Sequence, residues 1–224
     1  MLFAGLGIEA LYLIIALLVA IDVHECCHAW MANRLGDPTA KEAGRLSLNP
    51  LAHLDPWGTL MLLLVGLGWG KPVHIDALKL RYGPKKGMAI VGMAGPLANL
   101  VAATILAIPL RLHLIPFVSW KLGGIYVSFG LFLSWVIWLN LALAVFNMIP
   151  FAPLDGSRIL AAFLPSRWFF ALARYERYAL MLLLFLIALE RFARTGVLEA
   201  IILPPVKFLW WRLVNMTPPF PWLM

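Results

Sequence analysis

Charge is scarce in this sequence, and cysteine scarcer. Only 13% of its 224 residues are charged while 62% are apolar; soluble domains average about 25% and about half. This shortage excludes a water-soluble globular domain, because no polar stretch is long enough to form one. The two cysteines, Cys26 and Cys27, are neighbours, and adjacent positions on a helix do not suit a structural disulfide. They read as small apolar fillers, with a thiolate ligand at Cys27 the lesser alternative. Acidic residues number 11 against 18 basic ones. The basic residues are dispersed between apolar runs. Membrane orientation and anionic lipid therefore account for the net charge of +7, and no nucleic acid partner is expected. The first apolar run also lacks a basic start, so it does not read as a cleaved signal.

What the chain does have is a succession of apolar runs. They predict an all-α polytopic membrane protein with about five to six hydrophobic segments. One domain is expected over residues 1–224, with a core over about 5–163 and C-terminal helices over about 166–214 that could act as a gate. The runs are Leu6–Asn33, Trp57–Trp69, Met88–Leu110, Gly124–Phe146, Tyr178–Leu189 and Val197–Val214. Trp57–Trp69 is too short for a span, which needs about 20 residues, and reads as re-entrant. Flanking it, Gly44–Leu48 and Lys71–Ile75 read as extended pieces, giving a small β-hairpin insertion between the first and second core helices. Pro204 and Pro205 interrupt the last run, and the C-terminal aromatic residues read as an interfacial belt.

Inside the first run lies His24-Glu25-Cys26-Cys27-His28, an H-E-x-x-H pattern. Residues four apart share a helix face, so both imidazoles can reach one metal ion. Glu25, one step round, is placed to activate a water held by that ion. Ionisable groups within a membrane segment are functional by default. A catalytic zinc takes three protein ligands. His53, His74 and His113 lie in loops without a ligand pattern. Asp155 follows two prolines at the end of run four and is either the third ligand or the cap of a short helix from Gly156 to Phe163. The ligand reading is preferred because the histidines need a partner.

Parity and charge agree with it. If Trp57–Trp69 re-enters, the basic clusters at 34–45 and 71–86 share one side, and the positive-inside rule makes that side cytoplasmic. Asp155 then ends on the same side as His24 and His28. If the run crosses, Asp155 lies across the bilayer from them.

The H-E-x-x-H together with Asn147-x-x-Pro150-x-x-Pro153-Leu154-Asp155-Gly156 resembles the site-2 protease family of intramembrane zinc metalloproteases, peptidase family M50. Gly95-Pro96-Leu97-Ala98-Asn99 is also similar to a stretch in that family's short bacterial members. The resemblance runs from the first segment to about Gly156 and is to a form without PDZ or CBS domains. It implies one zinc ion per chain held by His24, His28 and Asp155, with Glu25 as catalytic acid/base and Asn147 near the substrate backbone. The implied activity is hydrolysis of a peptide bond within or near a transmembrane segment of a membrane-protein substrate, at the cytoplasmic side of the cell membrane. Lower in the ranking of site residues come Asn140, read chiefly as an interhelical hydrogen bonder, and Pro150, beside the break after Asn147. Asn99 is expected to bond a neighbouring helix or backbone freed by Pro96. The rival readings are a metal-binding or transport protein of the membrane and a catalytically silent family member. A regulatory membrane partner or a second copy of the chain stays open.

Overall fold

The computed structural model describes residues 7–58, 70–118, 120–122, 125–193 and 195–220. The first apolar run is one uninterrupted helix, α1 (Ile8–Arg34). It contains no proline and ends where Gly36 adopts φ +103°, a conformation that costs glycine little. A single turn, α2 (Thr39–Glu42), follows. The second long helix is α3 (Gly83–Arg111), with proline in its first turn, where the missing N–H breaks no helical bond. The third, α4 (Phe129–Asn147), is capped by Ser128, whose hydroxyl accepts the Leu131 N–H. The remainder forms α5 (Asp155–Phe163), α6 (Ser166–Ala193) and α7 (Val197–Val214), the last helical through Pro204 and Pro205.

Among the described residues three helices, α1, α3 and α4, are long and apolar enough to cross a membrane, fewer than the five or six segments expected. In α6 the apolar part is the shorter stretch Tyr178–Glu190, and α7 carries Glu199, Lys207 and Arg212 within its length.

The hairpin predicted between the first and second core helices is not found there among the described residues. Gly44 takes φ +71°, and the Arg45 N–H returns to the Ala40 carbonyl at 2.9 Å. The start of Gly44–Leu48 is thus the C-terminal cap of α2, not a strand. Among the described residues Lys71–Ile75 has no ladder partner. A hairpin does occur one connection later, where β1 (Trp120–Leu122) pairs antiparallel with β2 (Ile125–Val127) between α3 and α4. The re-entrant reading of Trp57–Trp69 lies outside the described residues beyond Gly58. Its flanks are described, and they meet: Leu54 and Gly70 form an antiparallel bridge.

The spans pack through small residues, as membrane helices do when close van der Waals contact holds them together. Ala16 of α1, Ala103 and Ala107 of α3, and Ile137 and Leu141 of α4 share one core. That core is closed by Trp210 of α7 and by Phe220, 0% and 1% exposed, which pack on Trp135 and Trp138 of α4. The C-terminal aromatics are therefore partly core and not simply an interfacial belt. Trp210 can be buried because its indole N–H donates to the Met216 carbonyl at 2.7 Å. The three spans alternate in direction. The C-terminal end of α1, the N-terminal half of α3 and the C-terminal end of α4 consequently share one end of the bundle.

Candidate metal centre

At that end α1 presents His24 and His28 on one face, 4% exposed each. The chain leaving α4 breaks at Met148–Leu154 and restarts at Asp155, the first residue of α5. Leu154 occupies the cap position, and no side chain caps the helix, so the capping role considered for Asp155 is not the one it has. Its Oδ2 instead stands 3.0 Å from His24 Nε2 and 3.1 Å from His28 Nε2, while the two Nε2 atoms are 3.0 Å apart. The three side chains are buried, and their candidate ligand atoms lie within 4.8 Å of one another. Gly95 makes room for them. A Cβ at that position would stand 2.5 Å from His28 Nε2 and 2.7 Å from His24 Nε2.

The surrounding bonds determine which ring nitrogens carry hydrogen. A carbonyl only accepts, so His28 Nδ1, 2.8 Å from the Val91 carbonyl, donates. Asn99 turns its NH2 to the Ala20 carbonyl at 2.9 Å, which leaves its Oδ1 facing His24 Nδ1 at 2.6 Å; that nitrogen donates too. In neutral imidazoles both Nε2 atoms then carry lone pairs and point at each other and at a carboxylate oxygen, with no proton between them. A cation resolves this. Two imidazoles and a carboxylate are a donor set that zinc takes. Donors around a tetrahedral zinc stand roughly 3.3 Å apart, so this triangle needs to open by only a few tenths of an ångström. The residues fit a metal ion.

Asp155 is prepared for the same task. Its Oδ2 faces the two bare imidazole nitrogens at 3.0 and 3.1 Å, where a shared cation would turn repulsion into coordination. Its other oxygen, Oδ1, stands 3.7 Å from Nη1 of Arg158, one turn along α5.

A cleft opens over the three groups. Glu25, half-buried, lines it, together with Asn147, Arg158 and the extended segment at Pro72, Val73 and Ile75. Asn147 donates one N–H to the Leu143 carbonyl of its own helix at 3.0 Å. Pro150 is exposed and is not among the residues lining the cleft. Asn140 is reached only through Asn99, whose NH2 lies 2.7 Å from its Oδ1.

With the geometry in place, comparison with known proteins decides the family. The sequence profile described as Peptidase family M50 matches residues 123–189, which include Asp155 but not the two histidines. A protein of Bacillus subtilis (strain 168), provisionally named zinc metalloprotease YwhC, is 37% identical over 175 residues, spanning 78% of this chain and 79% of that one. The chain belongs to peptidase family M50. It is a metalloendopeptidase of the site-2 protease type. This M50 peptidase is also 31% identical over 175 residues to the provisionally named zinc metalloprotease Rip2 of Mycolicibacterium smegmatis, covering 76% of this chain and 64% of the relative. It is 28% identical over 156 residues to zinc metalloprotease MJ0392 of Methanocaldococcus jannaschii, covering 70% of this chain and 35% of the relative. No solved structure matches the chain.

Sequence reasoning missed two features. Arg158 was findable, since it sits at i+3 from Asp155 on a helix that begins there. His53 lies in a loop with no ligand pattern, yet it is 1% exposed and faces Asp22 of α1 at 3.4 Å. That pairing joins residues far apart in sequence, and no local spacing announces it.

Proposed function

We propose that this M50 peptidase is an intramembrane zinc protease that hydrolyses a peptide bond within or near a transmembrane segment of a membrane-protein substrate. The observation that carries the reading is the convergence of His24, His28 and Asp155 on one buried point, with Glu25 on the wall of the adjoining cleft. The three residues would hold one zinc ion. When bound, zinc supplies Lewis acidity for attack on a carbonyl. Glu25 removes a proton from the attacking water and delivers it to the leaving amine. Asn147, on the cleft wall, holds the substrate backbone through its remaining N–H.

A helical substrate has its carbonyls engaged in its own hydrogen bonds and must be locally extended before attack. The extended Pro72–Ile75 segment beside the cleft is suited to receive such a strand by edge addition. Shortening Lys71–Ile75 is expected to abolish cleavage while zinc content stays unchanged.

Arg34, Lys41, Arg45 and Lys71 to Lys86 lie toward the same end of the bundle as the cleft, which supports a cytoplasmic site in the cell membrane under the positive-inside rule.

The test is Glu25→Gln. The variant should retain one zinc per chain and cut nothing, so substrates accumulate in the membrane proteome of cells carrying it. A variant that still cleaves, or a wild-type chain that takes up no zinc, defeats the reading.

A further inference from the structure

Asn99 and Asn140 are each 0% exposed on helices that cross the membrane, where an amide is retained only if its bonds are made. The geometry points to Asn99 as the positioning residue of the metal centre and to Asn140 as its support. Together they hold the His24 ring in the one tautomer that can bind a cation. The inference rests on the metal-centre reading above.

Asn99 engages both of its N–H groups and its oxygen across three helices. One N–H goes to the Ala20 carbonyl of α1, the other to Asn140 Oδ1 of α4, and its oxygen receives the His24 Nδ1–H. Asn140 is itself committed, since its NH2 donates to the Val136 carbonyl at 2.8 Å. The amide has one workable orientation. Turned over, its oxygen would face both the Ala20 carbonyl and Asn140 Oδ1, two acceptors. Ala20 lies four residues before His24, so one side chain holds both the ring and the backbone of the turn that carries it.

The two histidines differ in this respect. His28 is oriented by a backbone carbonyl, which no side-chain substitution removes. His24 depends on a side chain alone. A partner on the far ring nitrogen fixes the tautomer and raises the basicity of the ligating nitrogen, and loss of such a partner costs roughly 10–100-fold in metal affinity.

The experiment measures zinc affinity of the purified full chain in detergent by competition with a chromophoric chelator. The melting temperature of the metal-stripped protein is recorded in parallel. Asn99→Leu should weaken zinc roughly 10–100-fold. Asn140→Leu should weaken it less, and should add nothing in the Asn99→Leu background, because the support acts through Asn99. Asn99→Asp keeps an acceptor for Nδ1 but sets its second oxygen against the Ala20 carbonyl and Asn140 Oδ1, so it should lower the melting temperature yet bind zinc more tightly than Asn99→Leu. Unchanged affinity in Asn99→Leu, or losses from the two positions that simply add, overturns the inference. If Asn99→Leu does not fold, Asn140→Leu decides: several-fold weakening supports, and none overturns. Nitrogen-15 histidine spectra of the metal-free chain supply a readout independent of zinc. His24 should be protonated on Nδ1 in wild type and mixed in Asn99→Leu; identical spectra overturn the assignment. Wild-type protein that keeps the tautomer but binds no zinc counts against the metal reading and not against this one.

Discussion

Gly95 of α3 and His28 of α1 approach so closely that a single methyl group on the glycine would stand 2.5 Å from the Nε2 atom. Alanine is ordinarily favoured over glycine in a helix interior by roughly 0.5–1 kcal/mol, but at Gly95 its methyl would crowd Pro96 and displace both imidazoles, and overpacking of this kind costs about 1–3 kcal/mol. We expect the metal-free variant to melt below the wild-type temperature and its zinc content to fall to a small fraction of one per chain. Elemental analysis beside a thermal melt checks both. Full zinc occupancy would show that the rings can retreat.

Arg158 holds the outer oxygen of Asp155 at 3.7 Å while its own side chain is 24% exposed. Solvent screens a pair of this kind, so its influence lies below that of a buried partner. Arg158→Gln should weaken zinc by about tenfold or less, at the low end for outer-shell partners. Asp155→Ala, which deletes the proposed ligand, should abolish stoichiometric binding. Chelator competition distinguishes the two, and equal losses would mean that Arg158 acts through folding instead.

Asp37 joins the loop after α1 to the chain that leads into α3. Its carboxylate accepts from the Thr39 N–H and hydroxyl and from the Asp76 N–H at 2.7 Å. Burial pushes its carboxyl up, but those donors, with Lys79 nearby, outweigh burial and hold it below the usual value. A depressed folded pKa stabilises the native state above the unfolded value of about 3.9, and that contribution is lost as pH falls through the folded pKa. Asp37→Asn should therefore lose about 1–3 kcal/mol near neutral pH. The gap from wild type should close as the pH is lowered below about 4. Melting temperatures of the two proteins across that range test the sign. A gap that widens in acid refutes it.

Trp210 and Trp211 are adjacent, yet one is 0% and the other 54% exposed. Trp210→Ala removes an indole packed on Trp138 and Phe220 and should cost about 3–5 kcal/mol. Trp211→Ala should change the melting temperature little. Similar losses at both positions would place the α7 face differently from the packing described here.

The membrane class, the paired histidines and a helix over Gly156–Phe163 were legible in the sequence because each depends on local information. Apolar run length, i,i+4 spacing and a proline break are read along a single segment. The topological argument that brought Asp155 to the histidines was also available, since it needs only the number of crossings and the side on which basic residues fall. Less legible was the hairpin. Alternation at Gly44–Leu48 looks like a strand, but a left-handed glycine and the carbonyls at the end of α2 claim that backbone first.

Thus the amino-acid order by itself determined that two imidazoles would share a face of an apolar helix and that a carboxylate could return to their side. Only the tertiary structure decided which nitrogens of those rings are free, that Gly95 leaves room for the two rings, and that Asn99 reaches His24 from another helix with Asn140 behind it. The reason is physical. Spacing along a helix specifies the direction a side chain takes, whereas the state of a lone pair depends on whichever acceptor packing brings opposite it. Those acceptors lie 63 and 75 residues away along the chain.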